Sequence, residues 1–436
     1  MNRTTIVYGR TRPQTMMERF DGSRETFEQM DREERISRIV DVLEGLTHRH
    51  SFEVTQPGSK DPSLTIEAMG KKPEILENLH LNLLPLFKSQ LSSLLSSLDL
   101  IDPQKNPKPV TNPTLEALSH VDQTLEGIVS ATVTLTLESP LPDEDHDHHL
   151  EKLKVFRFSL LRQNIQHFVR YLIYHQLFRD LKDFIEWCAM PDSVNEDEWI
   201  LKEGSELREV IQTSMAFCHD TIDITINWCQ KSDWALVQEA WLRAQDSFEE
   251  SLKMFTCRTN RALISTMEAD PRYDKNERST KTKLIVQVAK SAIPLVKLGR
   301  IMVKKTSQAI AKKLISESGT ELNSRTINQL YFTPVSIYSP LNKLANILYV
   351  FDRIAAVMRV DDQDDIRSSV QNLPKDMEST LADLTTFLFP FLPQIKNDSP
   401  GTQLKSFFPN LKQSWDKASD QLMDVISSFE VERVVI

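Results

Sequence analysis

The run Asp361-Asp362-Gln363-Asp364-Asp365 sets four carboxylates in five residues. Asp361, Asp362 and Asp365 follow the pattern D-D-x-x-D, which suits Mg²⁺: a hard cation takes several carboxylate oxygens and a diphosphate completes its shell. A metal site of that kind needs further oxygen ligands from elsewhere in the chain, and Asn397-Asp398, followed by Ser-Pro-Gly, does not supply them. A second acid-rich run, Asp143-Glu144-Asp145-His146-Asp147-His148-His149, alternates acids and histidines and could hold Zn²⁺ or Ni²⁺ loosely. Its position in a proline-flanked loop favours the plainer role of placing acids before a helix N-terminus. Carboxylate-bridged di-iron sites need two E-x-x-H motifs on facing helices, and only Glu77-x-x-His80 has that form. His167, Tyr171 and His175 share one helical face and read as a polar seam in the core. Cys218 and His219 are adjacent in sequence, so a helix points them about 100° apart, which does not make a dyad.

Phosphate-cradling chemistry is excluded by glycine content. There are 10 glycines in 436 residues, and no two lie closer than Gly58 and Gly70. Only closely spaced glycines permit the tight turn and the backbone approach of a dinucleotide fingerprint, P-loop or nucleophile elbow. The formal net charge of −10 argues against a general nucleic-acid binder. The four cysteines (Cys188, Cys218, Cys229 and Cys257) contain no C-x-x-C pair and read as buried free thiols of a reducing compartment. Met1 to Phe20 carries Arg3, Arg10, Arg12 and Arg19 but no apolar signal core. With no membrane-length apolar run, the expected location is cytoplasmic, with access to the nucleus.

Periodicity then sets out the elements that must position any site. Residues 1–22 read as disordered. A helix is expected over 24–49, a linker over 53–72, and a helix from Pro73 to about 98 kinked at Pro85. Helices follow at 114–138, 150–189, 201–230, 233–269, 279–316, 322–331, 340–359, 371–396 and 402–430. The Ser232-Asp233-Trp234 run has the composition of an N-cap. The fold class is all-α: two elongated helical bundles of up-and-down type sharing long helices. The domains are a disordered 1–22, an N-terminal bundle 23–231 and a C-terminal bundle 232–436.

The strongest surface signal lies on the 279–316 helix. From Lys275 to Lys313 there are eleven Lys or Arg and one acid, Glu277. Lys283, Lys290, Lys297 and Lys304 recur every seven residues, drifting only about 20° per step, and Lys305 and Lys312 join the same stripe. Leu284, Val288, Leu295, Leu298 and Met302 form a separate apolar arc. One face therefore packs and the other is a lysine ridge. Either the ridge is simply solvated or matched by the acidic 192–209 stretch, or it docks an acidic protein. A peripheral contact with anionic membrane would use the same six lysines. With no catalytic, cofactor-binding or metal-ligating set assembled, the expectation is a non-enzymatic interaction protein without a cofactor.

Three segments of the chain carry a resemblance to known families. The runs Trp234-Ala-Leu-Val-Gln-Glu-Ala-Trp241 and Thr259-Asn-Arg-Ala-Leu263 resemble the helical unit of the cyclin-D1-binding protein (Grap2- and cyclin-D-interacting) family. Leu83-Leu-Pro-Leu-Phe-Lys-Ser-Gln-Leu91 looks like a segment of uncharacterised all-helical proteins from fungi. The first resemblance implies paired helical bundles of vinculin/catenin type that bind partner proteins without catalysis. The D-D-x-x-D pattern is similar to that of all-α isoprenoid synthases and implies, as the rival reading, an Mg²⁺-dependent enzyme with Asp361, Asp362 and Asp365 facing a deep apolar cavity.

Overall fold

A computed structural model describes residues 22–46, 59–98, 111–189, 198–264, 275–316, 322–353, 360–392 and 400–428, with 49, 52 and 100. The chain is all-α. Its helices are α1 (Gly22–Leu46), α2 (Lys72–Asn78), α3 (Leu84–Ser97), α4 (Thr111–Thr136), α5 (Val155–His167), α6 (Arg179–Cys188) and α7 (Glu198–Gln230). They continue with α8 (Asp233–Ile264), α9 (Lys275–Ser316), α10 (Ser324–Arg353), α11 (Val360–Val370), α12 (Leu373–Asp383) and α13 (Pro400–Ser428). Two short strands, β1 (Lys60–Asp61) and β2 (Leu141–Pro142), pair in parallel with Lys60 opposite Leu141. The chain divides into two compact units: residues 1–53, 76–133 and 163–225, and residues 54–75, 134–162 and 226–436. The expected disorder of residues 1–22 falls almost wholly outside the described residues.

Pro85 produces no simple kink. The turn before it, Leu79–Leu83, widens to π-helical geometry, in which i→i+5 bonding accommodates the missing N–H. The helix expected from residue 150 begins only at Val155, after Glu151 adopts φ 47°. It runs through a π-helical stretch, Phe168–Phe178, into α6. In the first unit this segment packs Phe168 edge-on against Phe87 of α3, with ring centroids 5.9 Å apart. Buried Asp180 accepts a hydrogen bond from Ser214 of α7 at 2.9 Å, and Gln176 donates to the same serine at 3.1 Å. His167, Tyr171 and His175 do not form a core seam. They stack along the outside of the helix, centroids 5.0 and 5.9 Å apart, with Tyr171 58% exposed. Phe168, Val169, Ile173, Tyr174, Leu177 and Phe178 take the buried face instead, since burying each large apolar side chain contributes about 1.5–3 kcal/mol.

In the second unit, α8, α9, α13, α12 and α10 each contact the next, and α10 closes the ring on α8. Aromatic and polar contacts fix the directions. Trp241, Phe248 and Ser251 of α8 meet Leu330, Tyr338 and Asn342 of α10 in ascending order, so these two helices run parallel. Along α12 and α13 the order reverses: Leu373 accepts from Trp415 at 2.9 Å while Phe389, just beyond α12, stacks on Phe408 at 5.2 Å. Helix α10 is continuous, through both Pro334 and Pro340, where the sequence reading expected separate helices at 322–331 and 340–359. Pro334 removes the N–H that would satisfy the carbonyl four residues earlier, that of Leu330. The buried indole N–H of Trp241 fills that vacancy at 3.0 Å, so the helix continues through the proline.

The helix starts of this unit converge on a buried charge cluster. Lys154 Nζ donates to Asp233 Oδ2 and to the Leu322 carbonyl, both at 2.7 Å. Arg157 Nε donates to Asp233 Oδ1 at 2.7 Å and its Nη2 to the Lys231 carbonyl at 2.6 Å. Asp147 accepts from the Val155 amide at 2.9 Å and the Ser324 amide at 2.7 Å, capping α5 and α10 with one carboxylate. The Ser324 hydroxyl donates to Asp147 and accepts from the Phe156 amide at 2.8 Å. Lys154, Arg157, Asp147 and Asp233 are 0, 4, 1 and 2% exposed, so two cations and two carboxylates balance out of water. Burial pushes the Asp147 carboxyl above the usual range, opposed by its bonds from Ser324 and Val155 and by Lys154. Ser232 caps α8 through the Ala235 amide at 3.2 Å, and Asn323 caps α10 through Thr326 at 3.0 Å.

Two predictions test this cluster and its neighbourhood. Asp233→Ala strands two buried cations and should lower the unfolding free energy by about 3–5 kcal/mol in urea titrations, against less than about 0.5 for exposed Asp365→Ala. Lys72, 3% exposed, donates to the carbonyl of Leu135, in the last turn of α4, at 3.1 Å and to that of Glu138, just past it, at 2.7 Å. Burial lowers its pKa from 10.5 to about 8, with Glu138 opposing. A neutral amine still has the two N–H groups these carbonyls need. Below pH 8 the ammonium is charged in both states and its burial cost is complete. As pH rises from about 8 to 10.5 the folded chain sheds the proton first, so stability should rise relative to Lys72→Met in melts across that window.

Candidate partner-binding surface

Helix α9 buries Leu284, Val288, Leu295 and Met302 against its neighbours, with Leu298 half-buried. The opposite face is a continuous exposed stripe of period 3.5: Lys283, Gln287, Lys290, Pro294, Lys297, Ile301, Lys304 and Gln308. Pro294 lies on that exposed stripe, and the helix carries on through it. Lys283, Lys290, Lys297 and Lys304 form no ion pair with a described residue. Lys305, also exposed, lies over the Phe407 ring of α13 with Nζ 5.0 Å from its centroid. Beside them, Arg300 approaches Glu249 of α8 at 3.9 Å. The Lys312 side chain is outside the described residues. Successive ridge lysines stand about 10 Å apart at 1.5 Å rise per residue, close to a Debye length, so they repel one another weakly at physiological salt.

Close helix packing holds the ridge in place. Gly299 lies on the buried side, and a Cβ there would sit 2.5 Å from the ring of fully buried Phe248. The missing side chain lets α9 lie against that ring on α8.

The other expected sites resolve differently. The acidic run 361–365 belongs to α11, not to a loop, and its carboxylates suit a helix N-terminus. Asp364 and Asp365 are exposed, and Asp364 pairs with Arg367 at 3.6 Å. The side chains of Asp361 and Asp362 are outside the described residues. In the 143–149 loop, Asp143 bonds His146 at 2.8 Å, His149 bonds the Leu64 carbonyl at 2.8 Å, and Asp147 turns inward as the double cap. His80 bonds the Leu76 carbonyl of its own helix at 2.7 Å. Among the described residues no three His, Cys, Asp or Glu side chains gather as a metal site would require, and no helix is long and apolar enough to cross a membrane. Cys188, Cys218 and Cys229 are buried free thiols, whereas Cys257 is exposed on α8, where the apolar stripe turns away from it. Burial pushes Cys218 up to about 12 and Cys229 up to about 11, so neither supplies a thiolate at neutral pH. In the first unit an open cleft of about 470 Å³ is lined by Arg38, Asp41, Val42, Arg49 and Asp122, with Arg49 and Asp122 paired.

The sequence reading missed the cluster of Asp147, Lys154, Arg157 and Asp233. The signal for part of it was present in the two cap residues Ser232 and Asn323, which mark helix starts beside it.

Residues 72–230 match the family model of one domain of unknown function (DUF8723), and residues 232–424 match that of another (DUF8721). Neither a curated protein nor a solved structure matches the chain.

The packing predicts a contrast within α9. Gly299→Ala should destabilise the fold by about 1–3 kcal/mol through overpacking. Lys290→Glu with Lys297→Glu, both on the exposed stripe, should leave the melting temperature within a few degrees of the parent by circular dichroism.

Proposed function

We propose that this chain is a non-enzymatic helical interaction protein whose α9 ridge binds an acidic partner in the cytoplasm or nucleus. One observation carries the reading. Lys283, Lys290, Lys297, Lys304 and Lys305 stand exposed on a helix whose other face is locked into a bundle, and the first four have no counter-charge among the described residues. Because the backbone beneath these cations is already ordered, only the lysine side chains themselves lose conformational freedom on binding. Lysine's hydrated ammonium makes the attraction electrostatic and sensitive to salt. The resemblance of the Trp234–Trp241 run to a partner-binding helical family points the same way. Unreactive buried thiols and the exposure of Asp364 and Asp365 support a role outside catalysis.

The test uses immobilised poly-glutamate and, in parallel, vesicles of neutral lipid with and without about 30% anionic lipid. The full chain should be retained on poly-glutamate at about 50 mM salt and released by about 500 mM, where the Debye length falls below 5 Å. The Lys290→Glu/Lys297→Glu variant should lose at least tenfold in affinity. Equal retention of that variant would remove the ridge from the function. Binding to anionic vesicles in place of poly-glutamate would transfer the ridge to membrane contact.

A further inference from the structure

Helix α7 carries a stripe of the same design and opposite character. On α7, Glu203, Val210, Phe217 and Ile224 recur every seven residues, and Glu206, Thr213, Asp220 and Asn227 fall three residues after each. All eight are exposed, with Val210, Phe217 and Ile224 at 45, 54 and 62%. Exposed Glu209 flanks the series, while exposed Asp223 beside it is already paired with Lys88 of α3 at 2.6 Å. This face therefore sets an apolar line inside an acidic border. Large apolar side chains at heptad spacing on an exposed helix face mark a seam awaiting a second helix.

From these two stripes we propose that the ridge on α9 and the acidic-apolar stripe on α7 bind one another between copies of this chain. This deepens the acidic-partner reading and rests on it. The two stripes match in three respects. Both have the 3.5-residue period that keeps a seam facing its partner, and both span about 37 Å at 1.5 Å rise per residue. Their charges are opposite: lysine at every seventh position of one, and Glu203, Glu206 and Asp220 along the other. Their apolar groups also suit. The four-carbon stems of Lys290 and Lys297 are long enough to cover Phe217 while their ammonium groups reach the carboxylates, and exposed Ile301 offers a further apolar contact. The exposed pair Lys202–Glu206, 3.8 Å apart, is too weak to withhold the Glu206 carboxylate. Each copy bears one stripe of each kind, so the contact is heterologous and either closes on itself or propagates. The net charge of −10 per copy opposes association at long range but is screened beyond about 10 Å, whereas the stripes act in contact.

Sedimentation equilibrium and light scattering on the full chain, from about 1 to 200 µM, cover the range where an interface below about 1,200 Å² equilibrates. The parent should exceed monomer mass at about 50 mM salt and return to monomer at about 500 mM. Lys290→Glu/Lys297→Glu alone and Glu206→Lys/Asp220→Lys alone should each be monomeric, with unchanged circular dichroism and melting. Mixed in equal amounts the two variants should assemble again, since each now presents what the other's reversed stripe requires. A parent that is monomeric throughout, single variants that assemble like the parent, or a mixture that stays monomeric would each overturn the proposal. A monomeric parent that still binds poly-glutamate through the ridge would leave the acidic-partner reading standing. Loss of both would remove the two together.

Discussion

Four charges that cannot reach water govern the second unit. Leaving a carboxylate or an ammonium uncompensated inside a protein costs several kcal/mol, so Asp147, Lys154, Arg157 and Asp233 must meet or the core cannot close. Their meeting fixes where three helices begin. Asp233 is the first residue of α8, Asp147 caps both α5 and α10, and Lys154 reaches the carbonyl of Leu322 just before α10. With the starts of α8 and α10 drawn to one place, the two helices run side by side in the same direction. Helix α9 must then return the chain between them. Its inward face is consumed by α8 and α13, and its lysines are left outside.

Much of this was legible in the sequence because periodicity is local. The all-α class and the inward arc of α9 follow from spacing. What was not legible depended on residues distant in the chain. Pro334 looks like a helix end until Trp241 is known to supply the missing donor. Asp147 looks like one member of a metallophilic loop until Ser324, 177 residues away, is placed beside it. His167, Tyr171 and His175 occupy one face by any helical count. Which face turns inward was decided by the six large apolar residues around them.

For the surface, residue type and spacing were enough to find the lysines, since a helix with one apolar arc leaves the opposite arc exposed by geometry. The α7 stripe was harder to see. Valine, phenylalanine and isoleucine at seven-residue intervals read as core on first inspection, and only the burial of Ile211, Met215, Cys218 and Ile222 beside them shows that the core is already supplied. The scarce glycines tell a related story. Gly204 and Gly299 are not turn residues but points where a helix lies against an aromatic ring, Trp187 in one unit and Phe248 in the other.

The charge cluster also bears on how this chain can be cut and recombined. The second unit is assembled from three stretches, 54–75, 134–162 and 226–436. A gene segment encoding only 232–424 would keep Asp233 and Ser324 but leave behind Lys154, Arg157 and Asp147. A segment encoding only 72–230 would keep those three and lose their counterparts. Neither stretch carries its own electroneutrality, so they are not interchangeable cassettes. Separating the two stretches would leave these charges uncompensated at a cost of several kcal/mol, so buried charge ties the halves together as well as the peptide bond at their junction.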